Sequence, residues 1–182
     1  MMYRNDLEDL TKVITKRRNR ALDISGYKSL VLRIAFLLLV GWILFTQVFL
    51  LTTVSGNEMF PAVKDGDLII GFRLQGEYAK GDVIVYTMDG EARIGRIAAR
   101  GTDVVNMDDS GTWTVNGTTQ SGEIVYPTYA KEVLNYPYRV PEDSLFILGD
   151  YRTQTEDSRD FGSIPMENVQ GKVITILRRR GL

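Results

Sequence analysis

An uncharged apolar run from Ile34 to Leu51 constrains this chain more than any other feature. Its 18 residues are softened only by Thr46 and Gln47, and as a helix they would extend about 27 Å, close to the hydrocarbon thickness of a bilayer. A buried core helix or a cleaved secretory leader could give a similar pattern. The run is longer than the usual apolar stretch of a leader, however, and no small-residue cleavage pattern follows it. The expectation is therefore one membrane-spanning helix over residues 30–53. Trp42 lies mid-run and marks neither interface.

Charge sets the expected orientation. Through Arg33 the chain carries eight basic residues against four acidic ones, and the remainder carries 14 against 19. The positive-inside rule places the N-terminus in the cytoplasm and everything beyond the span outside. The sequence thus predicts a basic cytoplasmic segment over 1–29, a transmembrane helix over 30–53 and an extracytoplasmic domain over 54–182, held at a cell membrane. The cluster Lys16-Arg17-Arg18-Asn19-Arg20 lies beside the span, where anionic membrane lipid is a better partner than nucleic acid. Leu7, Leu10, Val13, Ile14, Leu22 and Ile24 have partial helical spacing suited to the inner leaflet. The tail Arg178-Arg179-Arg180 reads as a solvated terminus or as a contact for outer-leaflet phosphates.

Cysteine and histidine are both absent from the 182 residues. Without cysteine there is no disulfide framework, thiol nucleophile or thiolate metal site. Without histidine there is no Ser-His-Asp triad and no imidazole base. No metal-ligand spacing or phosphate-binding glycine loop is present, and no cofactor is expected. Hydrolysis by such a chain would have to use lysine, carboxylates or hydroxyls, and a Ser-Lys dyad is one of the few designs that remain.

The part beyond the run reads as β. Candidate strands are Asp67–Phe72, Val83–Met88, Glu91–Ala99, Val104–Met107, Trp113–Val115, Ser144–Leu148 and Lys172–Leu177, short and rich in Val and Ile. Asp89-Gly90 and Asn116-Gly117 each sit between strand patterns and predict two-residue hairpins. Asn116-Gly117-Thr118 also matches a glycosylation sequon, but the hairpin is the simpler reading. Residues 118–141 hold Pro127, Pro137 and Pro141 and read as irregular. The expected fold class is mainly β, an antiparallel barrel or sandwich of small sheets behind one N-terminal helix.

Four blocks carry a more specific signal. They are Val54-Ser55-Gly56-Asn57-Glu58-Met59-Phe60-Pro61 after the apolar run, Gly81-Asp82-Val83-Ile84-Val85-Tyr86, the stretch Gly95 to Asp103, and the stretch Gly149 to Gly162. In order and spacing they resemble the type I signal peptidases (peptidase S26). In that family the residue before Met-x-Pro is the serine nucleophile, the third block opens Lys-Arg with the lysine base, and the last block follows Gly-Asp-Asn-x-x-x-Ser-x-Asp-Ser-Arg-x-Phe/Trp-Gly. Carried over by position, the nucleophile is Glu58 and the base is Gly95. Gly56, Met59 and Pro61 keep the nucleophile frame, Thr155 keeps a hydroxyl where the family has serine, and Asp157 and Arg159 keep the bracing pair. Tyr151 replaces the asparagine.

The resemblance explains why those residue types matter. A serine hydroxyl attacks only when a base takes its proton, and lysine is that base only when an apolar pocket disfavours its charge. Losing the nucleophile of a serine protease costs on the order of a millionfold in rate. Arg93 and Arg96 flank Gly95 but do not give up protons near neutral pH. Glu58, set in an apolar pocket, would have to be solvated or paired, and Arg93 is two residues from Gly95 on the same strand face. Ser55 is the nearest other hydroxyl in that block.

The resemblance implies a membrane-anchored, catalytically inactive signal peptidase homologue, a pseudoenzyme that binds or chaperones secreted precursors. Family substrates bind as an added strand at the cleft edge. Non-catalytic relatives are associated with sortase-linked pili of Gram-positive bacteria, so pilin proteins and the sortase-linked pilus machinery are the expected partners. The alternative is an active serine-type endopeptidase of the same family with divergent catalytic residues.

Overall fold

A computed structural model describes residues 2–120 and 126–178. It divides into two compact units, residues 1–46 and 47–182. Arg179 and Arg180 of the basic tail lie outside the described residues.

Helix α1 covers Met2–Val48, so the polar N-terminal segment and the apolar run are one continuous helix. Within it Gly26–Val48 has a mean hydropathy of 2.2 and no buried residue, and at 23 residues it is long enough to cross a bilayer. Thr46 bonds back to the carbonyls of Trp42 and Ile43 at 3.0 and 3.2 Å, so its hydroxyl is satisfied within the helix.

The expected span overran the helix. Phe49–Thr53 form strand β1, paired antiparallel with β2 (Leu68–Phe72) from Phe49↔Phe72 to Thr53↔Leu68. An apolar run has no punctuation where a lipid-compatible helix turns into a strand, since both want large apolar side chains.

The second unit is built from the predicted strands. They are β2, β3 (Val83–Met88), β4 (Glu91–Arg100), β5 (Val104–Met107), β6 (Trp113–Val115), β9 (Ser144–Leu148) and β11 (Val169–Leu177). Both predicted hairpins form: Asp89 and Gly90 have φ of 52° and 81°, and Asn116 and Gly117 have 52° and 77°. Two positive φ values in a two-residue loop match the twist of the flanking strands. Asn116 also commits its amide, donating to Asp103 Oδ1 at 2.7 Å.

Residues 118–120 and 126–141 are less irregular than expected, while 121–125 lie outside the described residues. Thr118–Thr119 form β7 beside β6, and Tyr138–Arg139 form β8, which pairs with Val104 and Val105 of β5. With β10 (Ile164–Pro165) the strands make a seven-stranded antiparallel sheet, β1-β2-β11-β3-β4-β9-β10, and a four-stranded sheet, β7-β6-β5-β8. One apolar cluster joins Val105, Met107 and Val115 of the small sheet to Phe146 and Leu148 of β9. A second holds Ile84, Tyr86, Ile97, Leu145 and Ile147. A third holds Val54, Met59, Val63, Ile69 and Ile94. The second cluster draws Ile84 and Tyr86 from the second motif block and Ile97 from the third, with Phe161 of the last block packed against it, and the third cluster draws Val54 and Met59 from the first block.

Candidate functional site

The segment after β1 is fixed by its apolar members. Met59 and Val63 are fully buried, and Val63 N–H donates to the Met59 carbonyl at 2.8 Å. Gly56, at φ +94°, turns the chain and donates to Asp65 Oδ1 at 2.9 Å. Anchoring Met59 inward leaves its neighbour Glu58 half-buried at a cavity of about 290 Å³, whose walls include Thr52, Thr53, Ser55, Glu91 and Arg93. Pro61 of the same frame is exposed. The backbone of Glu58 is held from the other side, because its carbonyl accepts from Tyr151 N–H at 3.0 Å.

The closing block supplies that second hold. Asp157 is its hub. Its carboxylate accepts from Gly149 N–H at 3.2 Å, from the Thr155 hydroxyl at 3.2 Å and from Arg159 N–H at 3.1 Å. Arg159 closes a fork on it, with Nε at 2.8 Å and Nη2 at 2.9 Å. Both side chains are about 2% exposed. Asp157 also caps the short helix α2 (Ser158–Phe161) in a capping box with Asp160. The Ser158 hydroxyl accepts from Ile147 N–H at 2.8 Å and so ties the block to β9. Gly149 permits the close approach, since a Cβ there would stand 2.6 Å from Thr155 Cγ2 and 2.8 Å from the Glu58 carbonyl oxygen.

Gly95 is buried on β4, and neighbouring side chains crowd the space beside it. A Cβ added to Gly95 would fall well inside the van der Waals contact distance of Ile147 Cγ2 and 3.4 Å from Tyr86 Cε1. Both neighbours are about 1% exposed or less. The room beside Gly95 is therefore filled by two packed side chains.

Glu58 was expected to be either solvated or paired with Arg93, and it is half-exposed. Arg93 does not pair with Glu58; its Nη1 lies 3.3 Å from Glu156 Oε2, on the mostly exposed side chain just before Asp157. Glu58 makes no ion pair among the described residues. Burial pushes its carboxyl above the usual range, Arg93 pulls it back, and Glu156 and Asp157 add to the rise. The Tyr86 hydroxyl is raised by burial and then by the charge of Glu58. Arg96, the other flanking arginine, forks onto buried Asp150 at 2.8 and 2.6 Å and joins β4 to the closing block.

Sequence reasoning missed two cations in the stretch it read as irregular or left unassigned. Lys131 donates to the Thr155 carbonyl at 2.7 Å and to Asp160 at 2.5 Å. Buried Arg152 stacks over Trp113 at 5.2 Å and donates to Thr128 at 2.9 Å; burial lowers its pKa to about 10. Neither has a local sequence signal, because each partner is distant in the chain. Chemically, the cleft offers carboxylates, one hydroxyl at Ser55 beside those of Thr52 and Thr53, and one guanidinium; among the described residues no lysine lines it.

A family model described as signal peptidase, peptidase S26, matches residues 27–177. The chain belongs to the signal peptidase S26 family. It is 27% identical over 160 residues to signal peptidase I of Bacillus licheniformis, covering 79% of this chain and 82% of that one. To signal peptidase IB of Staphylococcus aureus it is 29% identical over 142 residues, covering 66% and 73%. It is 27% identical over 135 residues to the probable thylakoidal processing peptidase 2 of Arabidopsis thaliana, and spans only 36% of that protein's length. A signal peptidase I crystal structure from Enterococcus faecalis V583 aligns with a TM-score of 0.46 at 24% identity, covering 54% of this chain and 97% of that one.

Proposed function

We propose that this chain is a membrane-anchored, non-catalytic signal peptidase homologue that holds an extended segment of a secreted precursor outside the cell. The observation that carries the reading is the packing beside Gly95. A base lost by substitution alone would leave a hole, whereas Ile147 and Tyr86 close it. Glu58 cannot replace the serine: its attack on an amide would give an anhydride, and its charge would sit where an oxyanion must develop. Ser55 faces the same cavity with no lysine among its lining residues. The frame that positions the segment is kept all the same, through Met59, Gly149, Thr155, Asp157 and Arg159.

By family analogy the client is a pilin-type precursor and the setting is sortase-linked pilus assembly in a Gram-positive cell. The test is a photo-crosslinking residue at Thr52 or Thr53 in living cells. Capture of leader-bearing or pilin precursors supports the reading, and absence of any secreted precursor among the adducts contradicts it.

A further inference from the structure

Strands β1, β2 and β11 are apolar on both faces, and only one of those faces is covered. Leu50 of β1 and Ile69 of β2 are buried on the inner side, where Val173 and Ile176 of β11 pack against the third apolar cluster. Their neighbours point the other way. Phe49 stands opposite Phe72, Leu51 opposite Ile70, and Leu68 opposite Leu177, so these residues share the outer face. Leu51 is 52% exposed, Leu177 49%, and Ile174, at the bulge in β11, 58%. A sheet face made for water would carry polar residues in alternation with the buried ones. These three strands hold no acidic residue and one basic residue, Lys172. A contiguous apolar face of this kind marks an interaction surface.

Chain connectivity says what covers it. Phe49 opens β1 and directly follows Val48, the last residue of the 23-residue apolar span, so no linker separates the strand from the end of the span. Thr53, at the far end of β1, is no more than about 17 Å of strand from that point. The end of β2 is fastened there too. Arg73 N–H donates to the Val48 carbonyl at 2.9 Å, and Arg73 Nε donates to the Phe49 carbonyl at 3.3 Å. Phe49 and Phe72 meet edge to face at 6.3 Å, and Arg73 and Leu74 beside them are exposed. Arg178, also exposed, follows Leu177 at the opposite end of the face. Apolar side chains bounded by arginines suit a leaflet surface, where the hydrocarbon enters and the guanidinium groups reach phosphate.

We propose that the outer face of β1, β2 and β11 rests on the outer leaflet of the membrane, with Leu51, Phe72 and Leu177 in the interfacial layer and Arg73 and Arg178 at its phosphates. This rests on the reading of the span as a membrane anchor. The cavity beside Glu58 lies on the other side of the same strands, with Thr52 and Ile69 in its wall. The sheet thus stands between lipid and cleft.

The chain has no cysteine, so single cysteines can be introduced into the full-length protein without removing any. Leu51→Cys on β1 and Leu177→Cys on β11 carry an environment-sensitive fluorophore in vesicles of phosphatidylcholine and phosphatidylglycerol. Leu38→Cys in the span and Asp109→Cys on the exposed turn between β5 and β6 are the references. Quenching by spin-labelled lipid at Leu51 and Leu177 is expected to exceed that at Asp109 about threefold, as for groups seated about 5–10 Å into the interface. Aqueous iodide should quench Asp109 strongly and the other positions weakly. If Leu38 is quenched by lipid while Leu51 and Leu177 behave like Asp109, the proposal fails and the anchor stands. If Leu51 and Leu177 are shielded from iodide yet unquenched by lipid, another protein or a second copy covers the face, and the proposal again fails. Absence of lipid quenching at Leu38 overturns the anchor reading and the proposal with it.

Discussion

Ile147 occupies the space that any side chain on Gly95 would need, its Cγ2 lying well within contact distance of a Cβ placed there. Ile147 is fully buried on β9 and Gly95 is buried on β4, in the antiparallel pair that runs from Arg96↔Leu148 to Arg100↔Leu145. Any side chain at position 95 is therefore coupled to a branched methyl on the neighbouring strand. Introducing one requires changing the other.

Gly95→Ala should destabilise the domain by about 1–3 kcal/mol through overpacking. Ile147→Ala alone should cost about 2–5 kcal/mol as a core truncation. The double variant should be more stable than the two costs added, by at least about 0.5 kcal/mol, because the new methyl fills part of the cavity. Urea unfolding of the four proteins measures the coupling. Strict additivity would mean the two side chains do not compete. By the same logic, Glu58→Ser with Gly95→Lys should fold poorly until Ile147→Ala is added.

Glu58 gives a pH-dependent signature. Its carboxyl is raised in the folded state, chiefly by burial, so folding favours its protonated form. The stabilisation it contributes is present below the ordinary carboxylate value of 4.5 and is lost as pH rises through the folded value. Glu58→Gln, which mimics the protonated form, should be the more stable protein at neutral pH. The gain should be no more than about 1 kcal/mol for a half-solvated group, and it should vanish below the ordinary value. Thermal melting across pH reads this directly; a Gln variant less stable at neutral pH would refute the assignment.

Much of the fold was legible in the sequence because its signals were local. Asp89-Gly90 and Asn116-Gly117 named their hairpins, since only such residues accept successive positive φ values cheaply. The Gly149 to Gly162 block predicted the Asp157–Arg159 pair that braces the site. Strand β1 was hidden inside the apolar run. The Tyr138–Arg139 pairing with β5 was hidden because partners about 33 residues apart leave no pattern in either segment. Of the two expectations for Glu58, solvation or pairing with Arg93, its half-exposed side chain fits the first; Arg93 bonds Glu156 instead, since strand spacing shows which face a side chain shares but not which loop returns beside it.

The Asp157 hub should dominate stability at the site. Asp157→Asn leaves Arg159 buried without its counter-charge and should cost about 3 kcal/mol or more. Thr155→Val removes one hydroxyl donor to the same carboxylate and should cost about 1 kcal/mol. Chemical denaturation that ranks the two variants equally would show that Asp157 is not the centre of the network.

The central claim is that the unmodified chain holds precursors without cutting them. Its most direct test incubates the purified full-length protein, in detergent or lipid, with a leader-bearing preprotein and follows mature product by mass spectrometry over many hours. The account predicts no product above a protein-free control. Product that grows with protein concentration, and that disappears when Ser55 or Glu58 is replaced, would contradict it.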